Sequence, residues 1–163
     1  MAKLESAIGL TNLVLHPSTS WIRVSILKDT APPAILPFLA RVFITGAEGF
    51  LGSHLLEAVL SRGHEVTALA QYNSFSSRGW LDSLPPAAQA KITVLAGDIR
   101  DAGFLRDSVK GHTRVAHLAA LIAIPYSYLA PASYLETNPM GTLNVLEACR
   151  VNRVQPTIHT STS

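Results

Sequence analysis

The sequence predicts an α/β fold: a parallel sheet with helices on both faces, following a poorly ordered N-terminal extension. Three observations predict it. From Arg41 onward, short apolar runs alternate with segments whose apolar residues recur at helical spacing. That is the pattern of strand–helix–strand units joined by right-handed crossovers. Three glycines, Gly46, Gly49 and Gly52, stand between the first such strand and the first such helix. Residues 1–40, in contrast, keep neither period.

Composition narrows the class. A chain of 163 residues suffices for one domain with a real core. At 48% hydrophobic and 15% charged it is a folding sequence, not a disordered one. Net charge is +2, with no basic block or basic-aromatic run, so nothing argues for nucleic acid. The single cysteine, Cys149, allows no internal disulfide and favours an intracellular, cytoplasmic setting. It falls late in a helical pattern and reads as a buried structural thiol. No apolar run approaches the ~20 residues of a membrane span. The histidines are scattered without metal-ligand spacing, so no metal is expected.

Residues 1–40 are interrupted by Pro17, Pro32, Pro33 and Pro37. They read as a leader and linker, with Trp21–Leu27 a candidate short strand. A transit peptide or a start site near Arg41 are the alternatives; a secretory signal is not clear, because Glu5 and a broken apolar stretch follow Lys3. The domain proper is expected over 41–163. Arg41–Thr45 is its first strand, and the first helix runs from about Phe50 to Arg62, with Leu51, Leu55, Leu56, Val59 and Leu60 on one face. Gly63 ends that helix. Glu65–Ala70 is the second strand. Gln71–Ala90 is a long connection, and long loops in compact domains tend to be functional. Lys91–Ala96 is the third strand. Asp101 can cap a helix that runs to about Val109, and Arg114–Ala119 is the fourth strand. The last helix starts near Pro131. Pro139 lies inside it, removes an N–H and frees the carbonyl of Leu135, which predicts a kink or break at Asn138-Pro139. Thr157–Ser161 is a fifth strand, whose outer edge would be open and apolar.

Ligands of parallel sheets bind at the carboxyl ends of the strands. Gly46, Ala70, Asp98, Ala119 and Thr162 are those ends and should line one crevice. The glycines suit a sharp turn with no Cβ to block a diphosphate, and a helix N-terminus follows to bind its charge. The arrangement is that of a Rossmann-type dinucleotide site. Its usual acid at the end of the second strand is missing: the strand ends Leu69-Ala70-Gln71. Arg78 is open to two readings, a partner of a 2′-phosphate or a solvated loop arginine, so NAD or NADP stays undecided. Asp98 can accept from an adenine amino group, with Ile99 packing on the base, or can simply cap a turn. His117, among apolar neighbours, reads as a satisfied core histidine. Ser161, Thr162 and Ser163 put hydroxyls at the fifth strand's end, for polarising a substrate oxygen or for capping.

In order, Thr45-Gly-Ala-Glu-Gly-Phe-Leu-Gly52, Gly97-Asp-Ile-Arg-Asp101, His117-Leu-Ala-Ala120, Thr137-Asn-Pro-Met-Gly-Thr-Leu-Asn144 and His159-Thr-Ser-Thr-Ser163 resemble the extended short-chain dehydrogenase/reductases, in particular the NAD-dependent epimerase/dehydratases. Gln71-Tyr-Asn-Ser-Phe75, Gly79-Trp-Leu-Asp82 and Ala120-Leu-Ile-Ala-Ile-Pro-Tyr-Ser127 are similar to nucleotide-sugar 4,6-dehydratases of the legionaminic-acid type, which act on UDP-N-acetylglucosamine-like substrates. The resemblance implies that Gly46, Gly49, Phe50, Leu51 and Gly52 hold the diphosphate of NAD (or NADP). It implies that Asp98 and Ile99 hold adenine, and that Leu118, Ala119 and Ala120 line the ribose and nicotinamide path. Asn138 would support the active site, and Thr162 would hydrogen-bond the sugar oxygen. A homodimer paired through helices, including the one after Pro131, is the assembly it implies.

One departure matters. By family pattern a catalytic YxxxK pair comes after Thr162, and none of Tyr72, Tyr126, Tyr128 and Tyr134 has a lysine four residues later. The expectation is therefore a C-terminally truncated 4,6-dehydratase. A 4-epimerase of the same family and a catalytically inert dinucleotide-binding module are the alternatives.

Overall fold

The structure, a computed structural model, describes residues 22–26, 39–154 and 157–162. In chain order the elements are β1 (Ile22–Ile26), β2 (Arg41–Thr45), α1 (Phe50–Ser61), β3 (Glu65–Gln71), α2 (Pro86–Gln89), β4 (Ile92–Gly97) and α3 (Ala102–Ser108). They continue with β5 (Arg114–His117), α4 (Ile124–Leu129), α5 (Pro131–Leu135), α6 (Gly141–Asn152) and β6 (Thr157–Thr162). One sheet holds the strands in the order β1-β6-β5-β2-β3-β4. From β2 to β6 all neighbours are parallel. The expected Rossmann-type sheet is thus borne out, with its topological switch point between β2 and β5, where such sheets bind ligands.

Alternation along β2 sends its side chains to both faces, as a doubly covered strand requires. Val42 and Ile44 pack on one side with Leu56 and Val59 of α1. Phe43 packs on the other with Leu105 of α3 and Val145 of α6. Cys149 is buried in that second cluster, as expected.

Local signals in the sequence translate directly. The Asp101 carboxylate caps α3 by accepting from the Phe104 N–H at 2.9 Å. Pro139 lies in a π-helical turn, Glu136–Met140, between α5 and α6. The wider turn accommodates the missing N–H, which is the predicted break.

Several elements differ from expectation. β3 runs one residue further, to Gln71, so Ala70 is core at 2% exposure rather than a strand end. β5 stops at His117 rather than Ala119. The long connection after β3 is an ordered unit with a 3₁₀ turn, Gly79–Ser83, and the short α2. Its Leu81 and Leu84 are buried in the core, and the Asn73 side-chain oxygen accepts from the N–H groups of Phe75 and Ser77, both at 3.1 Å. Helix α4, with Pro125 in its first turn, was not expected from the sequence. The open edge expected of the fifth strand is not there: β1 pairs antiparallel along β6, from Ile22 opposite Thr162 to Ile26 opposite Ile158. Ile22–Ile26, within the stretch whose pattern suggested a short strand, thus forms one. The rest of the expected extension falls mainly outside the described residues.

Candidate functional site

The turn after β2 is built by its glycines, each for its own reason. Gly46 has φ +69°, and a Cβ there would come within 2.6 Å of the Ala119 backbone nitrogen. That contact joins the ends of β2 and β5 across the switch point. At Gly52 a Cβ would lie 2.0 Å from the Gly46 carbonyl oxygen, so this glycine lets α1 pack onto the turn. Gly49 is different: a Cβ there meets only the Gly46 oxygen, at 3.3 Å. Gly49 is also the N-cap of α1, with no side-chain cap and no acidic residue in the first turn. First-turn N–H groups have no intrahelical acceptors, and together with the helix dipole they suit an anion.

A cleft opens beside this turn, along the carboxyl ends of β2, β3, β4 and β5. Of the residues singled out in the sequence it brings together Gly46, Gly49, Asp98, Ile99, Leu118, Ala119 and Ala120. Phe50, Leu51 and Gly52 do not line it; they form the adjoining first turn of α1, and the Phe50 ring is exposed against Trp80 at a centroid distance of 5.7 Å. Thr162 is the last residue of β6. Sequence reasoning missed Glu48, Leu69, Gln71, Leu121 and Thr137, which do.

Asp98 is held by Arg100. The guanidinium Nε lies 3.0 Å from both carboxylate oxygens, a second nitrogen lies 2.6 Å from Oδ2, and the Arg100 N–H donates to Oδ1 at 2.9 Å. Those side-chain hydrogen bonds above all hold the Asp98 carboxyl below its ordinary range, against the opposing effect of burial. A carboxylate has more acceptor sites than this fork uses, so Asp98 can still receive an N–H from the cleft. Ile99 is only 5% exposed and commits most of its side chain to α6, where a Cβ on Gly141 would meet Ile99 Cδ1 at 2.6 Å.

Glu48 lies between Ala47 and Gly49 in the turn. Its Oε1 accepts from the Gln71 N–H at the end of β3, at 3.0 Å. Its Oε2 is buried and has no hydrogen-bond partner. The Glu48 carbonyl accepts from the Trp80 N–H at 2.9 Å, so the long connection folds back onto the glycine turn. A signal for Glu48 existed in the sequence: an acid inside the glycine motif, in a chain lacking one at the end of the second strand.

Asn138 does not line the cleft. It sits behind the cleft wall, accepting from the Leu121 N–H at 2.8 Å and donating to the Leu121 carbonyl at 2.9 Å. His117 is a satisfied core residue, as expected. Its Nδ1 lies 2.7 Å from Thr45 Oγ1, its Nε2 3.0 Å from Thr142 Oγ1, and its ring stacks on His159 at 5.2 Å. Burial, then the neighbouring His159, pushes its pKa down to about 4. No group of three or more His, Cys, Asp or Glu among the described residues could hold a metal ion. Nor is any helix among them long and apolar enough to cross a membrane.

With this geometry in place, comparison with known proteins is decisive for the family. Residues 43–163 match the family model described as GDP-mannose 4,6 dehydratase. The chain belongs to that family. Its members are NAD-dependent epimerases and dehydratases of the short-chain dehydrogenase/reductase type, so the family-level resemblance of the motifs is borne out. Among curated relatives, UDP-glucuronate 4-epimerase 3 of Arabidopsis thaliana is 37% identical over 124 residues, which cover 72% of this chain and 28% of that protein. The dTDP-glucose 4,6-dehydratase of Streptomyces niveus is 34% identical over 129 residues, covering 75% of this chain and 38% of that one. Among solved structures, the Bordetella bronchiseptica enzyme WbmG in complex with NAD aligns at a TM-score of 0.58 and 33% identity, covering 71% of this chain and 35% of that one. The chain thus spans between a quarter and two fifths of the length of these three relatives.

Proposed function

We propose that the chain binds NAD in the cleft at the switch point and serves a nucleotide-sugar 4,6-dehydratase acting on a UDP-N-acetylglucosamine-like substrate. One observation carries the reading: the uncapped N-terminus of α1 stands beside Gly46 and Gly49, on a cleft that also presents two carboxylates, Glu48 and Asp98. These residues fit a dinucleotide. Gly49 leaves room for the diphosphate, which the first-turn N–H groups of Phe50, Leu51 and Gly52 would hold. Asp98, with Ile99, would hold the adenine, and Leu118, Ala119 and Ala120 would flank the ribose and nicotinamide.

When bound, NAD supplies the oxidant for the sugar C4 hydroxyl in this chemistry. The chain's own contribution is binding and orientation. Thr162 is assigned a hydrogen bond to the sugar oxygen, and Asn138 acts as a positioning residue through Leu121. A base of the YxxxK type is not formed by Tyr72, Tyr126, Tyr128 or Tyr134. The chain is therefore expected to bind the cofactor, and the residues singled out here position it and the sugar. A cytoplasmic setting goes with this reading.

The 4-epimerase reading has its own support, the identity to the Arabidopsis UDP-glucuronate 4-epimerase. The two differ in outcome: an epimerase returns the hydride to the opposite face of C4, a dehydratase loses water across C5–C6 and returns it at C6. Calorimetric titration of the 163-residue chain with NAD and NADP tests the site. Saturable binding is expected, and binding of neither overturns the reading. NMR of UDP-N-acetylglucosamine incubated with the chain and NAD then separates the reactions. Unchanged sugar agrees with binding alone, whereas a 4-keto-6-deoxy product or a C4 epimer would show that this chain carries its own base.

A further inference from the structure

The structure assigns to Glu48 the discrimination between NAD and NADP, a role that rests on the cofactor reading above. In a Rossmann-type site the hydroxyls of the adenosine ribose are met by an acid at the end of the second parallel strand. Here that strand is β3, and it ends in Gln71. The carboxylate reaches the same place from another element. Glu48, in the glycine turn, fixes its Oε1 on the Gln71 N–H at 3.0 Å. This leaves Oε2 buried without a hydrogen-bond partner, on a residue that lines the cleft. A buried carboxylate oxygen without a donor is costly, and sites that keep one are often built for a ligand donor. The ribose 2′-hydroxyl is such a donor, whereas a 2′-phosphate brings negative charge and no proton to give.

Two further observations agree. Glu48 is held from both sides, its carboxylate by Gln71 and its carbonyl by the Trp80 N–H at 2.9 Å, so it cannot swing away cheaply. The cation that a 2′-phosphate would need is committed elsewhere. Arg78 Nε pairs with Asp82 Oδ1 at 2.8 Å, its terminal nitrogen reaches Gln89 at 3.4 Å, and Arg78 does not line the cleft. Of the two readings open for Arg78 in the sequence, the structure agrees with the loop arginine.

The test is calorimetric titration of the full chain with NAD, NADP, ADP-ribose and 2′-phospho-ADP-ribose, for wild type, Glu48→Gln and Glu48→Ala. The wild type is expected to prefer the ligands without the 2′-phosphate by roughly ten- to a hundredfold, the worth of a hydrogen bond to a charged group. Both variants are expected to bring that ratio to within about threefold of one. Glu48→Gln is isosteric and can still accept from Gln71, so an unchanged melting temperature is expected for it even if Glu48→Ala is destabilised. A wild type that binds all four ligands without preference, or a Glu48→Gln protein that keeps the wild-type ratio, would overturn the assignment while leaving the cofactor site intact. A wild type that binds none of them would overturn both.

Discussion

Asn138 spends both ends of its amide on a single residue, accepting from the Leu121 N–H at 2.8 Å and donating to the Leu121 carbonyl at 2.9 Å. Leu121 ends the stretch Leu118–Leu121 that lines the cleft after β5, and Asn138 sits in the π-helical turn before α6. The pair bolts a wall of the cleft to the helix break. Replacing Asn138 with alanine removes both partners from a half-buried peptide group and should cost about 1–3 kcal/mol in urea denaturation. NAD affinity should fall several-fold in the same variant. Asn138→Asp keeps one acceptor but sets a carboxylate against the Leu121 carbonyl, and should not restore either property.

Gly49 and Gly52 look equivalent in the motif and differ in the structure. At Gly52 a methyl group would strike backbone at 2.0 Å, at Gly49 only one oxygen at 3.3 Å. Gly52→Ala should therefore be destabilised by more than ~3 kcal/mol, or fail to fold, because backbone must move. Gly49→Ala should fold with a loss of about 1 kcal/mol at the N-cap. Its defect should instead be in NAD titration, where the methyl group narrows the diphosphate approach.

Acid should weaken the fold through His117. Its folded pKa, about 4, lies below the ordinary value of 6.5, because burial and then His159 disfavour the imidazolium. Between those values the unfolded chain takes a proton that the folded chain refuses, so stability falls as pH drops through this window. From pH 7 to pH 5 the loss from this residue should be about 2 kcal/mol. Urea denaturation at both values would measure it. His117→Asn should show a smaller difference between them, though it is less stable at pH 7 for losing its bonds to Thr45 and Thr142.

Asp98 and Arg100 separate binding from stability. Their pair is partly exposed, with side chains 31% and 45% accessible. Such pairs add little to folding, so Arg100→Ala should change stability by less than about 1 kcal/mol. Asp98→Ala should lower NAD affinity several-fold, read by calorimetry. Arg100→Ala should lower it less, since the carboxylate remains and only its orientation loosens.

Much of this protein could be read along the chain because the determinants are local. Asp101 reaches only to Phe104, Pro139 disrupts only its own turn, and Gly46 takes its left-handed φ of +69° within the turn it makes. The parallel order of β2 to β6 follows equally from alternating strand and helix patterns with a fixed crossover hand. Lone features were harder. Ala70 became core because β3 runs one residue longer, so that Ala70 is paired with Ala96 inside the sheet instead of standing at the strand's end.

The sequence by itself therefore determined the doubly covered sheet, the glycine turn at the head of α1 and, through its ordered motifs, the family. Tertiary structure alone decided which polar groups meet: Glu48 with Gln71, Leu121 with Asn138, and Thr45 with His117 across 72 positions. It also set β1 along the edge of β6. The physical reason is range. A period or a cap acts over a few residues, whereas a side chain's hydrogen-bond partner depends on which strand ends the crossovers bring side by side, and packing settles that only when the sheet is assembled.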